Sequence, residues 1–533
     1  MNWHILLAVL VGLVIFMHGI ENFSHEMISF AGERFRKLLR KATRNRFTGG
    51  LAGTLVTALI QSSTATTVIT ISLVSAGAIS FAQSLGVIFG ANVGSTITAQ
   101  LVALKVTAFA PHFVILGFII SLLHRPYKYI GRGIFYIGLV FFGLNLVQEA
   151  ITPIKDSPQI IALFSNLTNP YFALLIGLVF TAIAHSSSIT TGLVVVLASS
   201  GILTLTQGIM ILLGSNIGTT ITAATASLKL SLHAKRGAAA HSLFNILGVL
   251  LILPFIRPFT QLIEWMGGNG AQQVANAHTI FNITTAILFL ILLKPVEKLI
   301  NWLIRGEEKE VLISTQYLNE KLPESNRQAL SLIEKEIAYS LQTVYDFYEL
   351  ATQVVVNGKE VRASAIDKYE ALADLLDERI EAALLELSRR PLSEKEARKI
   401  VLLVRISNLT EQLADTAKNL GRLLHSRTIA ATSLSPEALE SIQKIYSRLQ
   451  EPFAILKREF PKSLPEFPKL SRHLSAVSPA IARGYSQHIK RLQKRQAIGG
   501  SIFVESSSLL DDGAGKLKEI MKLCQQYARL RSV

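Results

Sequence analysis

Through the first 305 positions, apolar stretches are broken by glycine, serine and threonine far more often than by charge. They fall near 4–20, 51–79, 84–104, 111–123, 133–151, 171–205, 207–228, 238–263 and 278–304. A straight crossing of a bilayer needs roughly 20 apolar residues. Several of these stretches are shorter or interrupted, which predicts re-entrant or discontinuous helices rather than a simple row of spans. The stretch His4–Ile20 has no basic segment before it and no small-residue cleavage pattern after it, so it reads as a retained span and not a leader. After Arg305 the pattern changes. Apolar residues recur at three- and four-residue spacing through 330–355, 369–387, 397–424, 439–456 and 509–530, with Pro391 as a break and Ser393 and Glu396 spaced as a capping box. This predicts an antiparallel bundle of amphipathic helices. The expected fold is all-α: a polytopic helical membrane domain over 1–305, then a helical bundle over 306–533.

Composition sharpens that division. Half of the 533 residues are apolar and 17% are charged, with a mean hydropathy of +0.40. Such values exclude a disordered or collagen-like chain. The formal charge of +16 is uneven. Up to Arg305 there are 19 Lys and Arg against 7 Asp and Glu, and the remainder carries 34 against 30. A basic excess between apolar spans marks cytoplasmic loops, so the charge reports topology and not nucleic-acid affinity. The single cysteine, Cys524, leaves no intrachain disulfide.

The membrane domain contains a repeat. Gly53–Thr67, with Gln61-Ser62-Ser63-Thr64 at its centre, aligns with Gly177–Thr191, with His185-Ser186-Ser187-Ser188 at its centre, at an offset of 124. The register continues without a gap through Gly77 and Gly201, through Gly90-Ala-Asn92-Val-Gly94-Ser-Thr96 and Gly214-Ser-Asn216-Ile-Gly218-Thr-Thr220, to Lys105 and Lys229. The copies occupy about 47–110 and 171–234. Duplication is the usual architecture of secondary transporters, with the substrate held between the copies. Seven basic residues from Arg34 to Arg46 precede the first copy, and none lies between Ser157 and Pro170 before the second. The first copy is then entered from the cytoplasm and the second from outside, so the repeats are expected to be inverted. Arg125, Lys128, Arg132, Lys235, Arg236, Lys294, Lys298 and Arg305 fall inside on this topology, 152–170 and 264–277 outside, and the tail is cytoplasmic.

No Asp, Glu, Lys or Arg occurs from 47 to 104 or from 157 to 228. Within these regions the hydroxyl and amide groups of Gln61, Ser62, Ser63, Thr64, Thr66 and Thr67 and of His185, Ser186, Ser187, Ser188, Thr190 and Thr191 are crowded into apolar surroundings. One such cluster is as readily interhelical glue as a binding site. Two clusters in register, each followed by a Gly-x-Asn-x-Gly segment, favour a site. Hydroxyl and amide oxygens suit Na⁺, and donors at interrupted helix N-termini suit an oxyanion. Two further segments, His241-x-x-Phe-Asn245 and His278-x-x-Phe-Asn282, put His and Asn on one helix face and read as scaffold around that site. An intramembrane serine hydrolase is set aside. His185 and Ser186 are sequence neighbours that do not face each other, and no Gly-x-Ser-x-Gly elbow occurs, so no enzyme is expected.

These residues resemble the sodium-dependent phosphate cotransporters of the type II class, including bacterial Na/Pi cotransporters, whose two inverted repeats each carry a Gln-Ser-Ser-Ser signature. The resemblance covers roughly 1–305. It implies Na⁺-coupled movement of inorganic phosphate across a cell (inner) membrane. Phosphate and Na⁺ would be bound by Gln61, Ser62, Ser63, Thr64, Asn92, Thr96, His185, Ser186, Ser187, Ser188, Asn216 and Thr220. Two positions depart from the signature: Thr64 keeps the hydroxyl of a serine, and His185 does not keep the amide of a glutamine. The tail resembles the PhoU family of phosphate-signalling bundles, in which Glu-x-x-x-Asp repeats hold a divalent or iron metal. The matching pairs here are Glu370 with Asp374 and Glu411 with Asp415. That resemblance implies a regulatory tail, through which copies of the chain or a phosphate-signalling partner would associate. Phosphate export, or phosphate sensing without net transport, is the alternative reading.

Overall fold

The computed structural model describes residues 3–532 except 44, 105, 125–126, 155–156, 158–168, 307–310, 319–320, 358–362, 430–435, 463–466 and 494–499. Arg44, Lys105, Arg125 and most of the 152–170 loop, all used in the topology argument, lie outside the described residues. The described residues form helices and no strand. The chain divides into two compact units, Met1–Glu310 and Val311–Val533.

In the first unit, six helical stretches are long and apolar enough to cross a membrane: Trp3–Ala42, Phe81–Ala103, Tyr127–Ile151, Leu205–Ser227, Leu232–Trp265 and Gly270–Ile291. Five apolar helices are shorter, among them Arg46–Ile60 (α2), Ser63–Ser75 (α3), Pro170–Ala184 (α8) and Ser187–Ser199 (α9). At 15 and 13 residues, α2 and α3 are about 22 and 20 Å long, short of a hydrocarbon core of about 30 Å. α2 is joined to α3, and α8 to α9, by two residues only. Thr57 donates to Thr66 across the first turn at 2.9 Å, so α2 and α3 fold back on each other as a hairpin. The matching bond between Thr181 and Thr190, at 2.6 Å, closes α8 on α9 in the same way.

The repeat is carried into the structure element by element. Phe81–Ser95 (α4) and Ile97–Ala103 (α5) in the first copy correspond to Leu205–Gly218 (α10) and Thr220–Ser227 (α11) in the second. Asn45 and Asn169 cap α2 and α8. Ser80 with Gln83, and Thr204 with Gln207, form capping boxes at the starts of α4 and α10. Backbones touch where each hairpin meets the long helix of its own copy. A Cβ on Gly90 would collide with the Gly50 carbonyl, and one on Gly214 with the Leu174 carbonyl. Small residues allow that approach, and packing replaces the hydrophobic drive that lipid cannot supply. The copies then pack crosswise, α5 against α9 and α11 against α3. Two more helices flank them. Leu232–Ile252 (α12) packs on α3 and α4, and Gly270–Ile291 (α14) packs on α9 and α10.

The second unit holds Asn326–Asn357, Ala363–Ser388, Glu394–Ile429, Pro436–Glu459 and Gly500–Ser532, the five helices that periodicity predicts, each a little longer than its apolar pattern. Two further helices, Phe467–Ser475 and Val477–Gln493, fall outside the expected set although both are amphipathic: Leu470 and Leu474, and Val477 and Ile481, are buried one turn apart. Ser393 and Glu396 form the expected capping box: the Ser393 N–H reaches Glu396 at 2.9 Å, and the Glu396 N–H reaches the Ser393 hydroxyl at 3.3 Å. The Ser393 N–H, and the Ser393 hydroxyl donating at 2.7 Å, hold the Glu396 carboxyl below its ordinary range. Glu336 is buried and accepts from the backbone N–H groups of Gln316, Tyr317 and Leu318 at 2.9, 2.6 and 2.8 Å, which ties the segment before the bundle to its core.

The glycine contacts can be checked against an open position. Gly90→Ala and Gly214→Ala each force backbone apart and should cost about 1–3 kcal/mol or more. Gly515→Ala, in an exposed helical site with nothing within 4 Å, should be neutral or stabilising by about 0.5–1 kcal/mol. Melting curves of the three variants in one detergent test the contrast, and equal melting of all three would refute the close-contact account.

Candidate functional site

Both motifs sit at a backbone strain point. Gln61 and His185 are the non-glycine residues with positive φ among those described, at φ 59°, ψ 26° and φ 52°, ψ 19°. The other matched left-handed turn, Gly77 and Gly201, uses glycine. Retaining a side chain in that conformation costs conformational energy, so the side chain itself has a use. The structure shows what each one holds. Gln61 Oε1 accepts from Thr98 Oγ1 at 2.8 Å, and its Nε2 donates to the Ala58 carbonyl at 2.5 Å. His185 Nδ1 lies 3.2 Å from Thr222 Oγ1, the same position of the second copy. Sequence reasoning aligned Thr98 with Thr222 but passed over both as site residues, together with Thr57 and Thr181. The signal was available, since each pair keeps a hydroxyl in both copies.

After each strained residue the chain extends for one residue and then enters a helix. Ser62 caps α3 by accepting from the Ala65 N–H at 3.1 Å, whereas Ser186 makes no side-chain cap on α9. Ser63, Thr66 and Thr67, and Ser188, Thr190 and Thr191, are buried, while His185 is exposed and Ser62, Thr64, Ser186 and Ser187 are intermediate. The two turns meet. Ser188 Oγ donates to the Gln61 carbonyl at 3.4 Å, a contact between residues 127 apart in sequence. The N-terminal turn of α9 therefore abuts the turn that starts α3, and the positive ends of two helix dipoles lie close together without a fixed charge on either hairpin.

The Gly-x-Asn-x-Gly segments behave differently in the two copies. Asn216 is tied to α14: its Nδ2 donates to Asn282 Oδ1 at 3.0 Å, and its Oδ1 accepts from His278 Nε2 at 3.1 Å. Asn92 donates to the Ile88 carbonyl of its own helix at 3.1 Å. Thr96 and Thr220 likewise bond their own helices, at Val93 and Ile217. His241 and Asn245 lie on α12, fully buried or nearly so, and Asn245 Nδ2 donates to the His241 carbonyl at 2.9 Å.

In the tail, Glu370 is neutralised by Lys418 and Arg422, both at 2.6 Å. Asp374 and Glu411 are raised above their ordinary carboxylate range, first by burial and then by the like charges of Glu370 and Asp415 respectively. No group of three or more His, Cys, Asp or Glu that could hold a metal ion occurs among the described residues. The pairs Glu370/Asp374 and Glu411/Asp415 are thus brought near one another around a lysine and an arginine.

A family model described as Na+/Pi-cotransporter matches residues 15–149 and 157–262. An uncharacterized protein of Bacillus subtilis, YqeW, is 36% identical over 275 residues, covering 51% of this chain and 89% of that protein. A Salmonella typhimurium protein named as a putative inorganic phosphate export protein, YjbB, is 23% identical over 498 residues, covering 92% of this chain and 91% of its own. The human sodium-dependent phosphate transport protein 2B is 34% identical over 151 residues, 25% of this chain and 22% of that protein. No solved structure matches. With both copies of the repeat inside the matched residues, and a 36% identical relative covered over 89% of its length, this membrane protein belongs to the Na+/Pi-cotransporter family.

Proposed function

We propose that the chain carries inorganic phosphate across the membrane together with Na⁺, both bound where the Gln61–Thr64 and His185–Ser188 turns meet. The contact of Ser188 with the Gln61 carbonyl carries this reading, because it brings two helix N-termini and their hydroxyls to one place. Phosphate near neutral pH carries between one and two negative charges, and neither hairpin offers Lys or Arg to balance them. A cation must enter with the anion, and hydroxyl and amide oxygens are suitable ligands for Na⁺. The crosswise packing of α5 on α9 and of α11 on α3 is the reciprocal exchange expected of two copies related by a pseudo-two-fold axis, and it supports a site shared between them. Gln61, Ser62, Ser63, Thr64, Asn92, Thr96 and their counterparts His185, Ser186, Ser187, Ser188, Asn216 and Thr220 line that site in this reading. The basic flanks support a cytoplasmic tail, which we assign a PhoU-like regulatory role.

A second reading runs the same site outward. The Salmonella relative that aligns over nearly the whole chain, tail included, is named for phosphate export. Radiolabelled phosphate flux in proteoliposomes with an imposed Na⁺ gradient of either sign separates the readings. The transporter reading expects flux that follows the Na⁺ gradient. Export without coupling gives flux indifferent to it, and a sensor gives no net flux.

Two substitutions probe the turns. Ser63→Ala and Ser187→Ala should each weaken phosphate binding several-fold to a hundredfold, the loss for about 1–3 kcal/mol per ligand group left unpaired. Were the serines only packing residues, melting temperature would fall while affinity per folded molecule stayed constant. His185→Gln places an amide where Gln61 has one, able to accept from Thr222 as Gln61 accepts from Thr98. Phosphate transport should be retained, and the half-saturating Na⁺ concentration should move, because an amide oxygen replaces a ring nitrogen at the turn. An unchanged half-saturating Na⁺ concentration would reduce His185 to a packing residue.

A further inference from the structure

A polar cluster outside both motifs joins the first copy to α14. Gln100 of α5 donates from Nε2 to Thr279 Oγ1 at 2.9 Å and to Asn276 Oδ1 at 3.3 Å, and its Oε1 accepts from Gln272 Nε2 at 3.3 Å. Gln272 Nε2 also donates to Asn276 Oδ1 at 3.4 Å. Gln272, Asn276 and Thr279 follow one another at four- and three-residue spacing, so they form one stripe along α14.

Burial and depth together indicate what the stripe faces. All four residues are half-buried, so the cluster is not sealed inside the packing. Among the described residues, the Asn276 Nδ2 and the Gln272 Oε1 meet no protein group. Nor does the stripe lie clear of the membrane. After Thr279 only 280–291 remain of α14, about 18 Å of helix, whereas a crossing needs about 30 Å. A span that ends at Ile291 must therefore use its polar half to cross. Amide groups left unpaired against hydrocarbon are costly, and at membrane depth they are tolerated where they line water.

The position of the cluster gives that water a use. Thr98, two residues before Gln100 and so on the opposite face of α5, donates to Gln61 of the first motif. On α14, His278 beside Thr279 bonds Asn216 of the second copy. The cluster thus stands one helix away from the turns, with α5 as the partition. The matching seam of the second copy, α11 on α12, lacks it. The 124-residue register sets Ala224 against Gln100, and the two His-x-x-Phe-Asn segments set Ala239 against Asn276.

We propose that water enters the membrane unit along the α5–α14 seam, and that Gln100, Gln272, Asn276 and Thr279 line the mouth by which the transported ions approach the turns. This rests on the transport reading above and adds the entry residues to it. Neither α5 nor α14 carries a charge, so the mouth admits a hydrated anion and a hydrated cation without retaining either. Displacement of α5 opens the way from the mouth to Gln61, and its return closes it.

Single introduced cysteines test the mouth, because the native Cys524 is buried. In the full-length protein in lipid nanodiscs, Asn276→Cys should be modified by a charged, membrane-impermeant methanethiosulfonate. Ile287→Cys, 52% exposed on the same face three turns on, should react only with a membrane-soluble maleimide. Thr279→Cys, a smaller change, repeats the test should Asn276→Cys melt well below the parent. In proteoliposomes, charged modification of either mouth cysteine should abolish phosphate flux relative to the same variant unmodified. Failure of the charged reagent at both 276 and 279 overturns the wet seam and assigns the stripe to lipid or to a second copy. Modification that spares flux overturns the route and leaves the turn site and transport standing. A parent without phosphate flux overturns the transport reading and the ion route with it, while labelling at 276 still decides whether the seam holds water.

Discussion

A helix that stops inside a bilayer leaves backbone groups that water cannot reach, and the whole membrane unit is organised around stopping four helices there. The ends of α2 and α8 carry left-handed residues, Ser62 caps the start of α3, and Ser186 stands extended before α9 without a side-chain cap. Hydroxyl pairs, Thr57 with Thr66 and Thr181 with Thr190, hold each hairpin shut. Glycine contacts bring α4 and α10 against the hairpins closely enough for backbones to touch. Once these demands are met, two uncharged helix N-termini remain near each other, and these can serve an anion only if a cation accompanies it. Coupling in this account follows from how the interrupted helices are satisfied.

The two copies meet the same demand with different partners, and that difference is informative. Asn216 locks α14 to α10 through His278 and Asn282. In the first copy Asn92 and Asn245 bond their own helices instead, at Ile88 and His241. The same residues at matched positions therefore join flank to core in one copy and stay within their helices in the other.

Much of this was legible in the sequence because the period-124 register aligns not only residue types but the elements that carry them: hairpins, breaks and capping boxes recur at matched positions. The tail helices were legible from their spacing; Phe467–Ser475 and Val477–Gln493 carry the same spacing, at Leu470 and Leu474 and at Val477 and Ile481, over shorter apolar runs than the other five. Other features had no local signal. That Gln61 and His185 adopt positive φ is imposed by the two-residue turn, and neither residue type announces it. The partnership of Gln61 with Thr98 spans 37 residues, and the contact of Ser188 with Gln61 spans 127; both are set by packing. The unequal bonding of Asn92 and Asn216 is invisible in an alignment that makes them identical.

The central claim is that the two turns build one site and not two. Equilibrium dialysis of the purified protein against labelled phosphate in saturating Na⁺ counts the ligand directly. The account predicts one phosphate per chain, lost when the motif of either copy alone is altered. Two phosphates per chain, with each motif's alteration removing one and sparing the other, would contradict it.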